Sequence, residues 1–448
     1  MTGLLAKYAR AAVPRYTSYP PATQFHDGVG EDAYAGWLGA IGDGDTLSLY
    51  LHIPFCSALC WYCGCHTTVP NDVGRVGRYV KTLTAEIDRV AGRVSGHPEV
   101  VHIHLGGGSP SMLSAQAFAA LATSLRDRFA VRDDAAFACE LDPRNLTPAR
   151  IEAMAAHGVN RASLGVQDVS PDVQALINRR QPLDLVRRCV DQLRAAGIEA
   201  VNLDLMYGLP GQTTAHVVRS AEAAAALGAD RIAVFGYAHV PWFKRHQRAI
   251  DEDRLPGMDE RFAQMTAAEE TLVAAGYVKI GLDHFARAHD ALAVAKKAGR
   301  LRRNFQGYTA DAAAVLLGFG ASAIGALPQG YAQNDPHLGR YREAVMAGRL
   351  PVVRGVALRD DDRLRRRMIE TLMCQGTLDL DMAAGAAEPA SAADEVKHQL
   401  DTLAEDGLIE ISGSRLTVTP KGQPYLRNIA ACFDAYHSDG ATRHSRAV

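Results

Sequence analysis

The sequence predicts an α/β protein: an incomplete parallel (β/α)6 barrel with an N-terminal arm and a smaller, mainly helical C-terminal domain. Three observations predict it. Six short apolar or alternating runs recur from residue 47 onward, each followed by a longer amphipathic stretch. Pro, Ser or Thr commonly opens the helical stretches, and glycine closes them at Gly158, Gly197 and Gly228. The composition changes at both ends of this pattern. Strand–helix units in series favour a parallel sheet with right-handed crossovers, and six of them curl into a partial barrel.

The arm, residues 1–46, reads as irregular and rich in Pro, Tyr and Gly, with Pro14-Arg15-Tyr16-Thr17-Ser18-Tyr19-Pro20-Pro21 at its centre. The predicted strands are 47–53, 100–105, 137–141, 160–164, 200–206 and 231–237. The predicted helices between them are 78–94, 115–129, 148–157, 183–196 and 215–227. A helix at 259–275 and a Gly-rich stretch at 317–325 extend the barrel, which is taken as residues 47–345. The C-terminal domain, 346–448, starts with a basic amphipathic helix at 360–373. An Ala-rich connection at 383–393, a helix at 393–406 and a hairpin across Ser412-Gly413-Ser414 follow, a winged-helix-like order.

The 448 residues are 48% hydrophobic, enough for two to three domains with a sizeable core. A net charge of −2 gives no basic surplus, so no nucleic-acid partner is expected. There is no apolar run long enough for a membrane span, and Met1 to Pro14 lacks the apolar centre of a signal peptide. A cytoplasmic protein is expected. Of eight cysteines, four fall within ten residues, and Cys139, Cys189, Cys374 and Cys432 are scattered as buried small hydrophobes would be. A local cluster in a large chain reads as a metal site rather than a disulfide framework.

That cluster reads Cys56-Ser57-Ala58-Leu59-Cys60-Trp61-Tyr62-Cys63-Gly64-Cys65, directly after the first strand. A cubane [4Fe–4S] cluster usually takes four thiolates. Three from one short loop, Cys56, Cys60 and Cys63, leave one iron open to the amino and carboxylate groups of S-adenosylmethionine. An electron passed to the cluster then breaks the S–C5′ bond. Two alternatives stay open: Cys65 closes the cluster as a fourth ligand, or the loop holds structural zinc. Zinc sites use two well-separated ligand pairs, and here all four cysteines crowd one loop.

Other polar residues share the ends of predicted strands, where the chemistry of such barrels sits. Gly106-Gly107-Gly108-Ser109-Pro110 follows the second strand, Glu140 and Asp142 end the third, and Gln167 and Asp168 follow the fourth. Asp204 lies near the end of the fifth, and Tyr237, Ala238 and His239 follow the sixth. Each alone is an ordinary turn or capping residue. Their shared position is the argument.

These motifs resemble radical-SAM proteins of the porphyrin branch, and more specifically the oxygen-independent coproporphyrinogen III oxidase family. The resemblance runs nearly end to end. It takes in the arm 14–20, Asn202-Leu203-Asp204-Leu205, Asp283-His284-Phe285-Ala286-Arg287, Asn304-Phe305-Gln306-Gly307-Tyr308, Tyr331-Ala332-Gln333-Asn334 and residues 428–436. It implies two S-adenosylmethionine molecules in one site. The first would meet Tyr50, Gly107, Glu140 and Ile324. The second would meet Tyr62, Gly108, Ser109, Gln167, Arg179, Asp204 and Ala238. Cys65 is implied in activity but not in cluster ligation, and His52 and Tyr50 join it as catalytic candidates. Arg15, Phe305 and Gln306 are substrate candidates. His52 as a core histidine and Phe305-Gln306 as core and cap are the packing alternatives, and residues 363–367 read as a solvated helix face or a substrate gate.

The implied reaction turns two propionates of a tetrapyrrole, coproporphyrinogen III, into vinyl groups. A monomer fed by flavodoxin or ferredoxin is expected. Tyr62, Ser109 and Gly236 depart mildly from the family pattern, where phenylalanine, threonine and asparagine are familiar. Two competing readings remain. Heme chaperones of the same superfamily share the three cysteines but lack the C-x-C ending and the arm. A DNA-binding regulator would use the C-terminal region, against which the near-neutral charge counts.

Overall fold

The computed structural model describes residues 5–72, 74–385 and 390–437. The six predicted strands are present as β1 (Thr46–Ile53), β2 (Glu99–Gly107), β3 (Ala130–Leu141), β4 (Arg161–Gln167), β5 (Ala200–Tyr207) and β6 (Arg231–Gly236). They pair in that order, all parallel. Helices Gly74–Ala91, Ala115–Arg128, Pro148–Ala156, Leu183–Ala195 and Thr214–Ala226 form the crossovers.

The sheet does not stop at six strands. On one side β7 (Val278–Ile280) and β8 (His284–Ala286) add to β6. A small hairpin of β9 (Arg302–Asn304) and β10 (Gly307–Thr309) stands apart. On the other side β11 (Val315–Phe319) pairs parallel to β1, followed by β12 (Ile324–Leu327), β13 (Gly330–Asn334) and β14 (Val352–Ala357). The stretch 317–325, expected only as Gly-rich chain, is thus a strand, a turn and the start of another. Gly318 is required there, because a β-carbon on it would lie 2.7 Å from the Ile324 backbone.

Alternation explains how the sheet serves two purposes. In β4 and β5 the buried residues Ala162, Leu164, Val166, Val201, Leu203 and Leu205 face the helices and belong to the main core. The alternate row, including Ser163, Asn202 and Asp204, faces inward, as strand period two dictates. The interior is therefore polar and hollow, a cavity of about 700 Å³.

The arm corrects the expectation of an irregular segment. Glu31–Gly39 is a helix whose Tyr34 and Leu38 enter the main core. Phe25 stacks on Tyr331 with centroids 5.8 Å apart. Tyr16 and Tyr19 join the C-terminal hydrophobic cluster instead. In the C-terminal region, helices Asp360–Gln375 and Ala390–Glu405 flank a three-stranded sheet of β15 (Thr377–Asp379), β16 (Ile409–Ser412) and β17 (Arg415–Val418). Residues 386–389 of the expected connection lie outside the described residues. The 363–367 run is not a purely solvated face, because Arg365 is buried and donates to Asp361 and to the Phe433 carbonyl. No helix among the described residues is long and apolar enough to cross a membrane.

One buried acid ties the first crossover helix to the turn between β11 and β12. Glu86, 1% exposed, accepts from Tyr341 Oη (2.6 Å), Gly320 N (2.8 Å) and Asn334 Nδ2 (2.6 Å). Burial pushes its carboxyl up to about 7, against the pull of these donors. Its protonated form is thus favoured in the fold, so this group's stability contribution is greatest at low pH and shrinks as pH rises from about 4.5 to 7. Glu86→Ala strands three buried donors and is expected to cost about 3 kcal/mol, read by denaturant unfolding at pH 7.5. Glu86→Gln should flatten that part of the pH dependence. An unchanged slope would show that the carboxyl does not titrate in this range.

Candidate active site

Four cysteines follow β1 on a loop with little regular structure, so other elements must hold it. Gly108 N donates to Ile53 O at 2.9 Å and Ser109 N to Phe55 O at 2.8 Å, which zips the loop's start to the end of β2. No β-carbon fits on Gly107 or Gly108 at this join. A β-carbon on Gly107, where φ is +115°, would fall 2.5 Å from the His52 ring, and one on Gly108 would fall 2.5 Å from Thr67 Oγ1. The far end of the loop is clamped by the segment after β6. His246 Nε2 donates to Cys63 O (2.7 Å), Lys244 Nζ to Cys65 O (3.0 Å) and Gln247 Nε2 to Tyr62 O (3.0 Å).

The cysteines share one electrostatic environment. The Cys56 thiol is pushed up to about 11, by burial first and then by the neighbouring Cys63 and Cys60. Cys63 is pulled down to about 7 by a hydrogen bond from Cys65, against burial, with Lys244 and Arg179 assisting. Two guanidiniums donate to Cys60 Sγ: Arg179 Nη1 at 3.5 Å and Arg144 Nη2 at 3.6 Å. Asp142 braces both, 2.6 Å from Arg144 and 3.4 Å from Arg179. This donor set suits a negatively charged iron–sulfur cluster: three thiols on one loop, with cations directed at one of the sulfurs. Among the described residues no group of three His, Cys, Asp or Glu side chains is gathered around one point.

The other candidates stand on the same rim to different degrees. Glu140 accepts from His104 Nε2 (2.8 Å) and Gly107 N (3.1 Å). Burial acts to raise its carboxyl, but His104 and Gly107 hold it below the usual range. Tyr50 lies in the field of Glu140 and Cys65, and its register partner across β11 is Gly318, which touches Ile324. Arg179 is buried and keeps Nε without a partner, a free donor at the cluster loop. Gln167 has φ +71° at the end of β4, with its amide beside Gly165 and Arg179. Asp204 accepts from Ser163 Oγ and Asn202 Nδ2, both at 2.8 Å, and burial pushes its carboxyl up. The Ala238 carbonyl accepts from Gln247 at 3.3 Å.

Two candidates are committed to internal contacts. The Ser109 hydroxyl is buried, 2.6 Å from Ser111 Oγ and accepting from Asp142 N. His52 is buried, and burial holds it neutral, down to about 4. Its Nε2–H donates to the His66 carbonyl (2.8 Å), so Nδ1 accepts from Tyr50 Oη (2.9 Å). These bonds make it a brace of the cysteine loop. Arg15 and Phe305 stand further round, where the arm meets β12, and Gln306 lines the hollow interior. Sequence reasoning missed His104, Lys244, His246 and Gln247. Only His104 left a signal: it alternates with His102 on the inward row of β2.

The chain is similar to known proteins along its whole length. Residues 50–224 match the radical SAM superfamily and residues 358–425 match the HemN C-terminal domain. The oxygen-independent coproporphyrinogen III oxidase of Bradyrhizobium diazoefficiens is 47% identical, covering 99% of each chain. That of Paracoccus denitrificans is 41% identical, covering 98% of this chain and 97% of the relative. The structure of the Escherichia coli coproporphyrinogen III oxidase HemN, a radical SAM enzyme, superposes with a TM-score of 0.89 at 37% identity, covering 94% of this chain and 98% of that one. On this similarity and the cysteine loop at the barrel rim, the chain belongs to the oxygen-independent coproporphyrinogen III oxidase family of radical SAM enzymes.

Proposed function

We infer that the chain carries out the oxygen-independent oxidative decarboxylation of two propionate side chains of coproporphyrinogen III, giving the two vinyl groups of protoporphyrinogen IX. Each conversion passes a hydrogen atom from the propionate β-carbon to the radical that S-adenosylmethionine would supply, then releases carbon dioxide and gives one electron to an external one-electron acceptor. The observation that carries this reading is the Cys56–Cys60–Cys63 loop at the carboxyl ends of the strands, in a chain similar end to end to oxidases of that name. The C-x-C ending and the arm, absent from the heme chaperones, favour oxidation over heme transfer.

A [4Fe–4S] cluster with S-adenosylmethionine supplies one-electron cleavage of the sulfonium, and with it the power to abstract hydrogen. Cys56, Cys60 and Cys63 would hold the cluster. Arg144 and Arg179 offset its negative charge at Cys60. Glu140, kept ionised by His104, suits the ammonium or ribose hydroxyls of the first S-adenosylmethionine, beside Tyr50, Gly107 and Ile324. The partnerless Nε of Arg179 offers a donor to a second, near Tyr62, Gly108, Gln167, Asp204 and Ala238. A soluble one-electron donor such as flavodoxin or ferredoxin, a monomeric state and a cytoplasmic location complete the reading.

Anaerobic incubation with dithionite, S-adenosylmethionine and coproporphyrinogen III should yield protoporphyrinogen IX by mass. Heme binding without decarboxylation would support the chaperone instead. A second experiment concerns the ligand set. Cys65→Ser should keep its iron and sulfide while turnover falls by about tenfold or more. Loss of the cluster on that change would make Cys65 a ligand and close the iron corner on which the reading depends.

A further inference from the structure

Where the arm meets the rim, a pocket is walled by Tyr16, Tyr19, Phe305 and Tyr331 and edged by the guanidiniums of Arg303 and Arg366. Phe305 meets Tyr331 edge to face at 5.8 Å. The pocket's one carboxylate, Glu370, is already engaged, accepting from Arg302 Nε (3.0 Å) and from the backbone N–H of Arg303 (3.1 Å). The pocket therefore carries a positive surplus.

Arg303 is the unusual member. Its guanidinium sits 4.4 Å over the Tyr308 ring, which fixes its plane. Nη2 donates to the Arg15 carbonyl at 3.2 Å. Nε and Nη1 are buried with no hydrogen-bond partner. A buried cationic donor left unpaired is costly. Asp283 is the nearby acid, and it is shared: Arg303 and Arg15 both act on its charge, and its own hydrogen bond goes to His284. Arg427 adds a further cation, pulled down to about 10 by burial and then by Arg15 and Arg303. Arg303 thus shares its nearby acid with Arg15, and the walls around it are aromatic.

We propose that Arg303 anchors one propionate carboxylate of the substrate: the niche, about 30 Å³, admits a carboxylate and not a ring, so the pyrrole edge bearing it stays outside against the half-buried Phe305. This deepens the oxidase reading and rests on it. The coproporphyrinogen macrocycle carries four carboxylates on flexible two-carbon stems. One of them reaching Arg303 would satisfy the stranded donors and fix how the reacting propionates present themselves to the rim. Arg's planar fork suits a carboxylate.

The test uses coproporphyrin III, the stable fluorescent oxidised form with the same four carboxylates, titrated into the full chain. Arg303→Gln should weaken its binding at least about tenfold and raise KM for coproporphyrinogen III more than it lowers kcat. Arg303→Lys, which restores the charge without the fork, should recover part of the loss. Iron content and the thermal midpoint check that each variant is folded and loaded. Unchanged coproporphyrin affinity and KM in a folded Arg303→Gln would overturn the anchor. An equal loss in Arg303→Lys and Arg303→Gln, accompanied by a lowered thermal midpoint, would also overturn it, leaving Arg303 a clamp for the arm. Failure of the wild type to decarboxylate coproporphyrinogen would instead sink the oxidase reading.

Discussion

The site depends on two backbone hydrogen bonds that no side chain can replace. Gly108 N to Ile53 O and Ser109 N to Phe55 O join the ends of β1 and β2, and no β-carbon fits on Gly107 or Gly108 there. The cysteine loop begins at that join. Its sulfurs are presented by a segment with almost no hydrogen-bonded ladder of its own, so rigidity must come from outside. It comes from β2 below, from His52 through the His66 carbonyl, and from the Lys244–Gln247 clamp above. The glycine run is thus explained first by packing, and any approach of cofactor to Gly107 follows from the same absence of side chains.

Charge is arranged as locally as backbone. A net charge of −2 over 448 residues conceals a cationic pair at Cys60 and a second cationic cluster around Arg303. The first is braced by a single carboxylate, Asp142, so that two guanidiniums share one counterion and retain attraction for sulfur. The second is braced by Asp283 and Glu370, each already hydrogen-bonded elsewhere. Both clusters are partly buried, where opposite charges attract more strongly than in water. Global composition showed only that there is no basic surplus and could say nothing of these pairs.

What was legible in the chain followed from periodicity. The six parallel strands and their helices were readable because the strands are short apolar or alternating runs and three of the helices run out within two residues of Gly158, Gly197 and Gly228. The strands beyond β6 were not, because β7 to β10 are three residues each, too short for a pattern to declare itself. Glu31–Gly39 was hidden by an arm rich in turn formers on either side of it. Among site residues, the cysteines and Glu140 were legible from spacing and strand position. The clamp residues were not, since Lys244, His246 and Gln247 act through contacts with carbonyls some 180 residues away in sequence. Arg303 adjoins a motif that was singled out, yet only tertiary structure shows that its donors lack partners.

The division of labour across the sheet explains how one fold is both stable and hollow. Many closed barrels fill their interior with layers of branched apolar side chains. Here the outward rows and the crossover helices hold the hydrophobic core, with Leu47, Leu49, Leu51 and Ile53 all 0% exposed. The inward row of the same strand, Ser48, Tyr50 and His52, is polar. Because strand period two separates the rows absolutely, the inward row carries little of the packing energy and is free to hold His104, Glu140, Asp204 and His284 around an interior of about 700 Å³. Some polar groups there satisfy one another, as Glu140 with His104 and Asp204 with Ser163 do. A slip of one residue in the register of β1 would exchange Leu49 for Tyr50 on the core face and abolish core and site together, which ties the stability of this sheet to the position of its chemistry.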